Sequence, residues 1–360
     1  MMAIEADEIA VSVQPQGALG LITLNRPQAL NALTWPMIRA IDVALTAWEF
    51  DSAIKAVAFT GAGDRAFCAG GDVKAAWHAG MALRRGEAGA QSPDGFFRDE
   101  YRLNRRLFHY PKPLIALMNG IVMGGGYGIA GQCRYRIACP RTVFAMPEVG
   151  IGFFPDVGSA WHLARMPSFS GFYLGVTGAT IPVVDMVFTG TATHVQSDEE
   201  LRALPIALDR ALATGRTLES ALNNSTVEAP GRLAMQRSAI EKIFSEKTIE
   251  GIVSGLESDG GDFAMETLDL ILKRSPTSLH VTLRHLRQAA NEEFDAVIAR
   301  DFQLAQRFMR DSDYYEGVRA VLIDRDGCPG WRPAALADVE SKDIEALFQA
   351  QGTGLDDILS

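Results

Sequence analysis

The chain has 360 residues, 48% of them apolar and 22% charged, with a formal net charge of −10. That length holds one large core with a smaller appended unit. The acidic balance, with no concentrated run of Lys and Arg, excludes broad nucleic-acid binding, and no apolar run of about 20 residues is present to span a membrane. Cys68, Cys133, Cys139 and Cys328 form no CxxC pair and have no His in metal-ligand spacing, so no metal site is expected and the thiols read as reduced. The N-terminal MMAIEADEIAV has neither the basic-then-apolar order of a secretory signal nor the character of a transit peptide, and a cytoplasmic location is expected.

Short alternating runs at IAVSVQ and GALGLITLNRP, a helical stretch from Met37 to Trp48 and the run KAVAFTGAG predict a β-β-α-β opening. The segment from Gly80 to Gly95, rich in Gly, Ala and charge, reads as a mobile surface loop, a lid or close to one, before a helix from Phe96 to Tyr110. PLIALMNG (Pro113 to Gly120) is a further strand, followed by a glycine cluster and strand-like runs at Tyr135 and Thr142. Beyond about Ala179 the pattern is mostly helical, and Ser-Pro-Thr-Ser at Ser275 is a helix start. The whole predicts an α/β fold with a helical C-terminal third.

Two glycine turns carry chemical interest: Ala66-Phe-Cys-Ala-Gly-Gly-Asp72 after one strand, and Met123-Gly-Gly-Gly-Tyr-Gly128 after another. Glycine lets a backbone approach a ligand closely, and fixed backbone N–H groups stabilise an oxyanion without reorganising. Each turn alone is equally well a tight turn with close helix packing. Two carboxylates follow in Met146-Pro-Glu148-Val-Gly-Ile-Gly-Phe-Phe-Pro-Asp156-Val-Gly, an apolar setting that tunes an acid toward proton transfer. The plainer readings are Asp156 as the N-cap of a helix from Val157 to Arg165 and Glu148 as a first-turn helix acid.

NRPQALNAL (Asn25 to Leu33), AFCAGGD (Ala66 to Asp72), NGIVMGGGYG (Asn119 to Gly128) and FAMPEVGIGFFPDVG (Phe144 to Gly158) together resemble the crotonase, or enoyl-CoA hydratase/isomerase, superfamily. FFRDEY, FPDVG, SPTSLHVTLRHLR, QRFM, YYEGVRA and WRP resemble its 3-hydroxyisobutyryl-CoA hydrolase branch, and the likeness runs over about residues 8 to 345. It implies a spiral of repeated β-β-α units as a catalytic core over residues 1–210, with a helical region over 211–360 covering the active site. It also implies an acyl-CoA substrate with no separate cofactor, and either a trimer or hexamer or a monomer.

Residue by residue, Gly71 and Gly125 match the oxyanion-hole donors, Glu148 the shared catalytic glutamate, and Asp156 the aspartate that the hydrolase branch adds. Glu100 matches a substrate-contacting acid, while Asp72 and Lys74 match the edge of the CoA pocket. Arg26 is a further candidate for the CoA phosphates. Gly128 stands where true hydratases hold a second glutamate. The expected reaction is therefore hydrolysis of a short 3-hydroxyacyl-CoA thioester, with Glu148 as nucleophile or as base toward water.

Three alternatives remain at this point: a hydratase or isomerase of the same fold, a non-catalytic acyl-CoA-binding protein, and a dinucleotide enzyme suggested by Gly126-Tyr-Gly128-Ile-Ala-Gly131. The six histidines lie in no Ser or Cys nucleophile motif, which argues against a serine-hydrolase mechanism.

Overall fold

The computed structural model describes residues 4–6, 9–14, 16–90, 92–222, 230–310, 312–349 and 358–359. The chain forms two compact units, each discontinuous in sequence. The first comprises Met1–Gly71, Arg106–Phe144 and Ile181–Gly231, the second Asp72–Arg105, Ala145–Thr180 and Arg232–Ser360. Position 210, where the sequence pattern divides the chain, lies inside the helix Asp198–Ala213 of the first unit.

The strands are β1 (Ile4–Ala6), β2 (Ile9–Val13), β3 (Leu19–Leu24), β4 (Ala56–Gly61), β5 (Ala66–Cys68), β6 (Leu114–Met118), β7 (Ile121–Met123), β8 (Tyr135–Ala138), β9 (Val143–Ala145), β10 (Ile181–Pro182) and β11 (His194–Val195). The larger sheet has the order β1-β2-β3-β4-β6-β8-β11, antiparallel from β1 to β3 and parallel from there on. A smaller sheet has the order β10-β9-β7-β5, with β5 and β7 parallel. Parallel strands are covered on both faces, which is why KAVAFTG and PLIALM read as unbroken apolar runs. Ala56, Ala58, Ile115, Leu117, Ile137 and Cys139 pack with Leu201, Leu204 and Leu208 of the helix Asp198–Ala213. The alternate residues Val57, Phe59, Ala116, Met118 and Ala138 are buried as well.

The helix read as Met37 to Trp48 runs Trp35–Glu49, because the Thr34 side chain caps it and Pro36 is tolerated in the first turn. A buried carboxylate ties this unit together: Asp209 Oδ1 accepts the Ala18 and Leu19 N–H groups, both at 2.9 Å, and Oδ2 accepts that of Gln16 at 2.5 Å. Gln16 and Ala18 lie in the turn leading into β3, and Leu19 is the first residue of that strand.

The second unit is mainly helical. The segment from Gly80 to Gly95 is not the loop that its composition suggests: one helix runs Val73–Arg84 and the next Asp94–Phe108, with Gly86 and Gly89 turning the chain between them and Gln91 outside the described residues. Gly80 is a packing glycine, since a Cβ there would lie 2.0 Å from Tyr315 Oη. Trp77 Nε1 donates to the Tyr315 carbonyl at 2.9 Å, and Arg84 stacks on the Tyr315 ring at 3.8 Å, so tertiary contacts hold the helix Val73–Arg84.

Beyond Ala179 helices predominate, and the expected start at Ser275 holds: its side chain accepts the Ser278 N–H, Pro276 opens the helix, and the element runs Pro276–Ala289. Among the described residues no helix is long and apolar enough to cross a membrane. The four cysteines are thiols rather than disulfides, and burial pushes the Cys133 thiol up to about 12.

Candidate active site

In the first unit, β5 and β7 are parallel neighbours, so the chain leaves both at the same edge of the smaller sheet. The two glycine turns, 54 residues apart at Gly71 and Gly125, therefore meet. A Cβ on Gly70 would lie 3.6 Å from the Met123 carbonyl oxygen and 3.8 Å from the Gly125 nitrogen. The Leu33 N–H donates to Gly70 O at 2.8 Å and holds the first turn from its other side. Gly125 is the first residue of the helix Gly125–Ala130, where an N–H has no intrahelical acceptor. Among the described residues, neither the Gly71 nor the Gly125 N–H has a partner.

The second turn follows β7, an extra strand that PLIALMNG does not reveal. Gly126 is already the second residue of the helix, and a Cβ on it would lie 2.3 Å from Cys68 O. A dinucleotide fingerprint needs its first glycine in the turn before the helix, so Gly126-Tyr-Gly128-Ile-Ala-Gly131 is a packing pattern. Arg26 serves its own loop: one guanidinium nitrogen donates to Ala32 O at 2.8 Å, and its N–H donates to Asn31 Oδ1 at 2.9 Å.

The second unit holds the acids. The helix Asp94–Phe108 buries Phe97, Glu100, Tyr101 and Asn104 along one stripe, at helical spacing. Glu148 opens the 3-10 turn Glu148–Ile151, so the plain first-turn reading is met, yet its side chain is buried. Asp156 is not a helix cap. The following helix is Ser159–Leu163, shorter than expected, and its N-cap is Gly158. The Asp156 carboxylate instead accepts the Tyr101 hydroxyl at 2.6 Å. Among the described residues, Glu148 Oε2 and Glu100 Oε1 are buried with no hydrogen-bond partner.

These three acids sense one another. Burial first, and then the charge of Asp156, hold Glu148 well above the usual carboxylate range, with Glu100 adding to the effect. Burial and the Asp156 charge raise Glu100 in the same way. Burial pushes Asp156 up to about 7, against the lowering effect of the Tyr101 bond, while the charge of Asp301 raises it further. Buried acids that raise one another in this way do not all ionise together, so they keep protons above the ordinary carboxylate range. Such a group can hold, give or take a proton at a bound molecule.

Asp72 caps the helix Val73–Arg84, its side chain accepting the Ala75 N–H at 3.1 Å, and Lys74 is half-buried in the first turn. Tyr101 escaped the sequence reading, although it directly follows Glu100; nothing local ties it to an aspartate 55 residues away.

A family model described as enoyl-CoA hydratase/isomerase matches residues 19–348. The 3-hydroxyisobutyryl-CoA hydrolase, mitochondrial, of Danio rerio is 41% identical over 93% of this chain and 88% of its own length. The protein of the same name in Rattus norvegicus is 39% identical over 98% of this chain and 92% of its own, and that of Homo sapiens 38% over 95% and 89%. Among solved structures, a carnitinyl-CoA dehydratase from Mycobacterium thermoresistibile has a TM-score of 0.87 at 36% identity, covering 96% of this chain and 97% of that one. An enoyl-CoA hydratase from Rhodobacter sphaeroides 2.4.1 has a TM-score of 0.87 at 33% identity, covering 96% and 98%. The motifs, the fold and these likenesses agree: the chain belongs to the enoyl-CoA hydratase/isomerase, or crotonase, family.

Proposed function

We propose that this protein is an acyl-CoA thioester hydrolase that cleaves a short 3-hydroxyacyl-CoA, with 3-hydroxyisobutyryl-CoA as the leading candidate, to the free acid and CoA. The observation that carries the reading is the buried group of Glu148, Asp156 and Glu100, with two carboxylate oxygens left open. The relatives named for 3-hydroxyisobutyryl-CoA hydrolysis, similar over nearly the full chain, support the same reaction.

In this reading the thioester oxygen accepts from the Gly71 and Gly125 N–H groups as charge develops on it, each donor stabilising the transition state by about 3 kcal/mol. Glu148 either attacks the carbonyl carbon or draws the proton from a water that does. In the first case the C–S bond breaks to leave a mixed anhydride and CoA thiolate, and water then cleaves the anhydride. In the second, water adds directly and the thiolate leaves. A neighbouring protonated acid supplies the proton that the thiolate takes up.

Glu100 and Asp156 hydrogen-bond the substrate hydroxyl. A substrate without that hydroxyl leaves buried acids unpaired and reacts poorly. Lys74, beside the Asp72 cap, contacts the CoA phosphates; Arg26, engaged with Ala32, contributes less. A cytoplasmic location belongs to this proposal, whereas the named relatives are mitochondrial.

The structural neighbours favour a second reading, addition of water to an enoyl-CoA on the same donors. Gly128, buried in its helix, supplies no second acid for that reaction. The deciding experiment follows thiol release and enoyl absorbance in parallel with 3-hydroxyisobutyryl-CoA, 3-hydroxypropionyl-CoA and crotonyl-CoA. Thiol release from the hydroxyacyl substrates supports the hydrolase. Loss of enoyl absorbance without thiol release makes the protein a hydratase.

A further inference from the structure

We infer that Asp301 and His285 are positioning residues for Asp156, acting through the Gly158 backbone. The chain after Asp156 takes an unfavourable course: Val157, a β-branched residue, has φ 55, and Gly158 has φ 74. A β-branched side chain in the left-handed region is strained and persists only where its surroundings hold it.

Asp301 supplies the hold. Its Oδ2 accepts the Gly158 N–H at 2.7 Å, and its Oδ1 receives His285 Nε2 at 2.6 Å. Arg300 Nε donates to His285 Nδ1 at 2.9 Å, so the ring proton lies on Nε2 and goes to Asp301. Arg300 is itself held by Glu292, at 2.9 Å through one of two bonds. Asp301 and His285 are almost completely buried. Oδ2 of Asp301 thus fixes the turn while His285 holds the carboxylate through Oδ1, and the Ser159 N–H closes the turn onto the Asp156 carbonyl at 2.9 Å.

Asp156 is faced by Tyr101 and Glu100 from one helix, Glu148 from its 3-10 turn, Tyr314 from the helix Ser312–Val318, and Asp301 from the helix Phe294–Phe308. Asp301 therefore opposes ionisation of Asp156 while its hydrogen bond from the Gly158 N–H aims the turn that carries it.

The inference rests on the hydrolase reading only for the reaction assayed, so its test has an arm independent of turnover. Titration of the Asp156 carboxyl is followed by 13C NMR in the wild type, Asp301→Asn, His285→Leu and His285→Gln, with thiol release from 3-hydroxyisobutyryl-CoA measured beside it. In Asp301→Asn the Asp156 midpoint falls below that of the wild type, because the charge of Asp301 raises it. His285→Leu lowers kcat roughly tenfold or more, as small misplacements of a group that orients the substrate do. His285→Gln, which keeps an N–H for Asp301, stays near wild type. A wild-type enzyme that releases no thiol overturns the hydrolase reading and leaves the NMR arm to decide this one. Folded variants with an unmoved midpoint and wild-type kcat overturn the inference. So does a His285→Gln variant as impaired as His285→Leu, because that makes the ring a packing group. Should Asp301→Asn not fold, the two His285 variants decide.

Discussion

Each unit buries a carboxylate, and the two are treated in opposite ways. Asp209 in the first unit receives three backbone N–H groups and is spent entirely on holding the turn into β3. Glu148 in the second unit is just as hidden, yet one oxygen has no partner among the described residues, and two further acids press on it. A satisfied buried charge stabilises a scaffold; an unsatisfied one costs stability and persists where a bound molecule completes it. On the proposed reading, that difference divides a residue of the scaffold from a residue of the chemistry.

The strongest way to sharpen that contrast is Glu148→Gln, which is expected to lower thiol release by about 10³-fold or more while CoA affinity, measured by calorimetry, changes little. Residual activity within tenfold of wild type would remove Glu148 from the chemistry. Asp209→Ala should do the reverse. Leaving three donors without their acceptor costs about 3 kcal/mol in urea unfolding, with kcat per folded molecule unchanged.

The acids also set the pH dependence of stability. The folded-state pKa of Asp156 is raised to about 7 from an ordinary 3.8, and Glu100 and Glu148 are raised too. The folded protein therefore keeps protons that the unfolded chain has released. Stability from this source is full below about pH 4 and is lost as pH rises through about 7. Thermal melts at pH 5 and pH 8 should show the loss, and it should shrink in Asp156→Asn; equal melts would contradict the raised pKa values. The smallest effect is expected in Tyr101→Phe, with about 1 kcal/mol of stability lost. Removing the bond that lowers Asp156 moves its titration upward, so the acid limb of the rate profile should shift to higher pH. An unmoved limb would detach Tyr101 from the reaction.

Much of the scaffold was legible because its signals are local. Ser275 announces its helix, and parallel strands betray themselves by unbroken apolar runs, whereas the Thr34 cap that starts the helix Trp35–Glu49 before Met37 went unread. The glycine turns were visible as well, although β7 was hidden between PLIALM and the second turn because a three-residue strand carries no period of its own. Gly80 misled the reading for a related reason: glycine marks a loop and a close contact with the same letter, and only Tyr315 tells which.

The sequence by itself determined the family, the order of the motifs and the identity of the acids, since each resides in a contiguous stretch of residues. Tertiary structure decided how those residues are used. Asp156, rather than capping a helix, accepts the hydroxyl of Tyr101, 55 positions away, and its turn is held by Asp301, 143 positions from Gly158. Partners at such separations leave no trace in local spacing, and burial, which raises the acids out of their ordinary range, is a property of the folded chain alone.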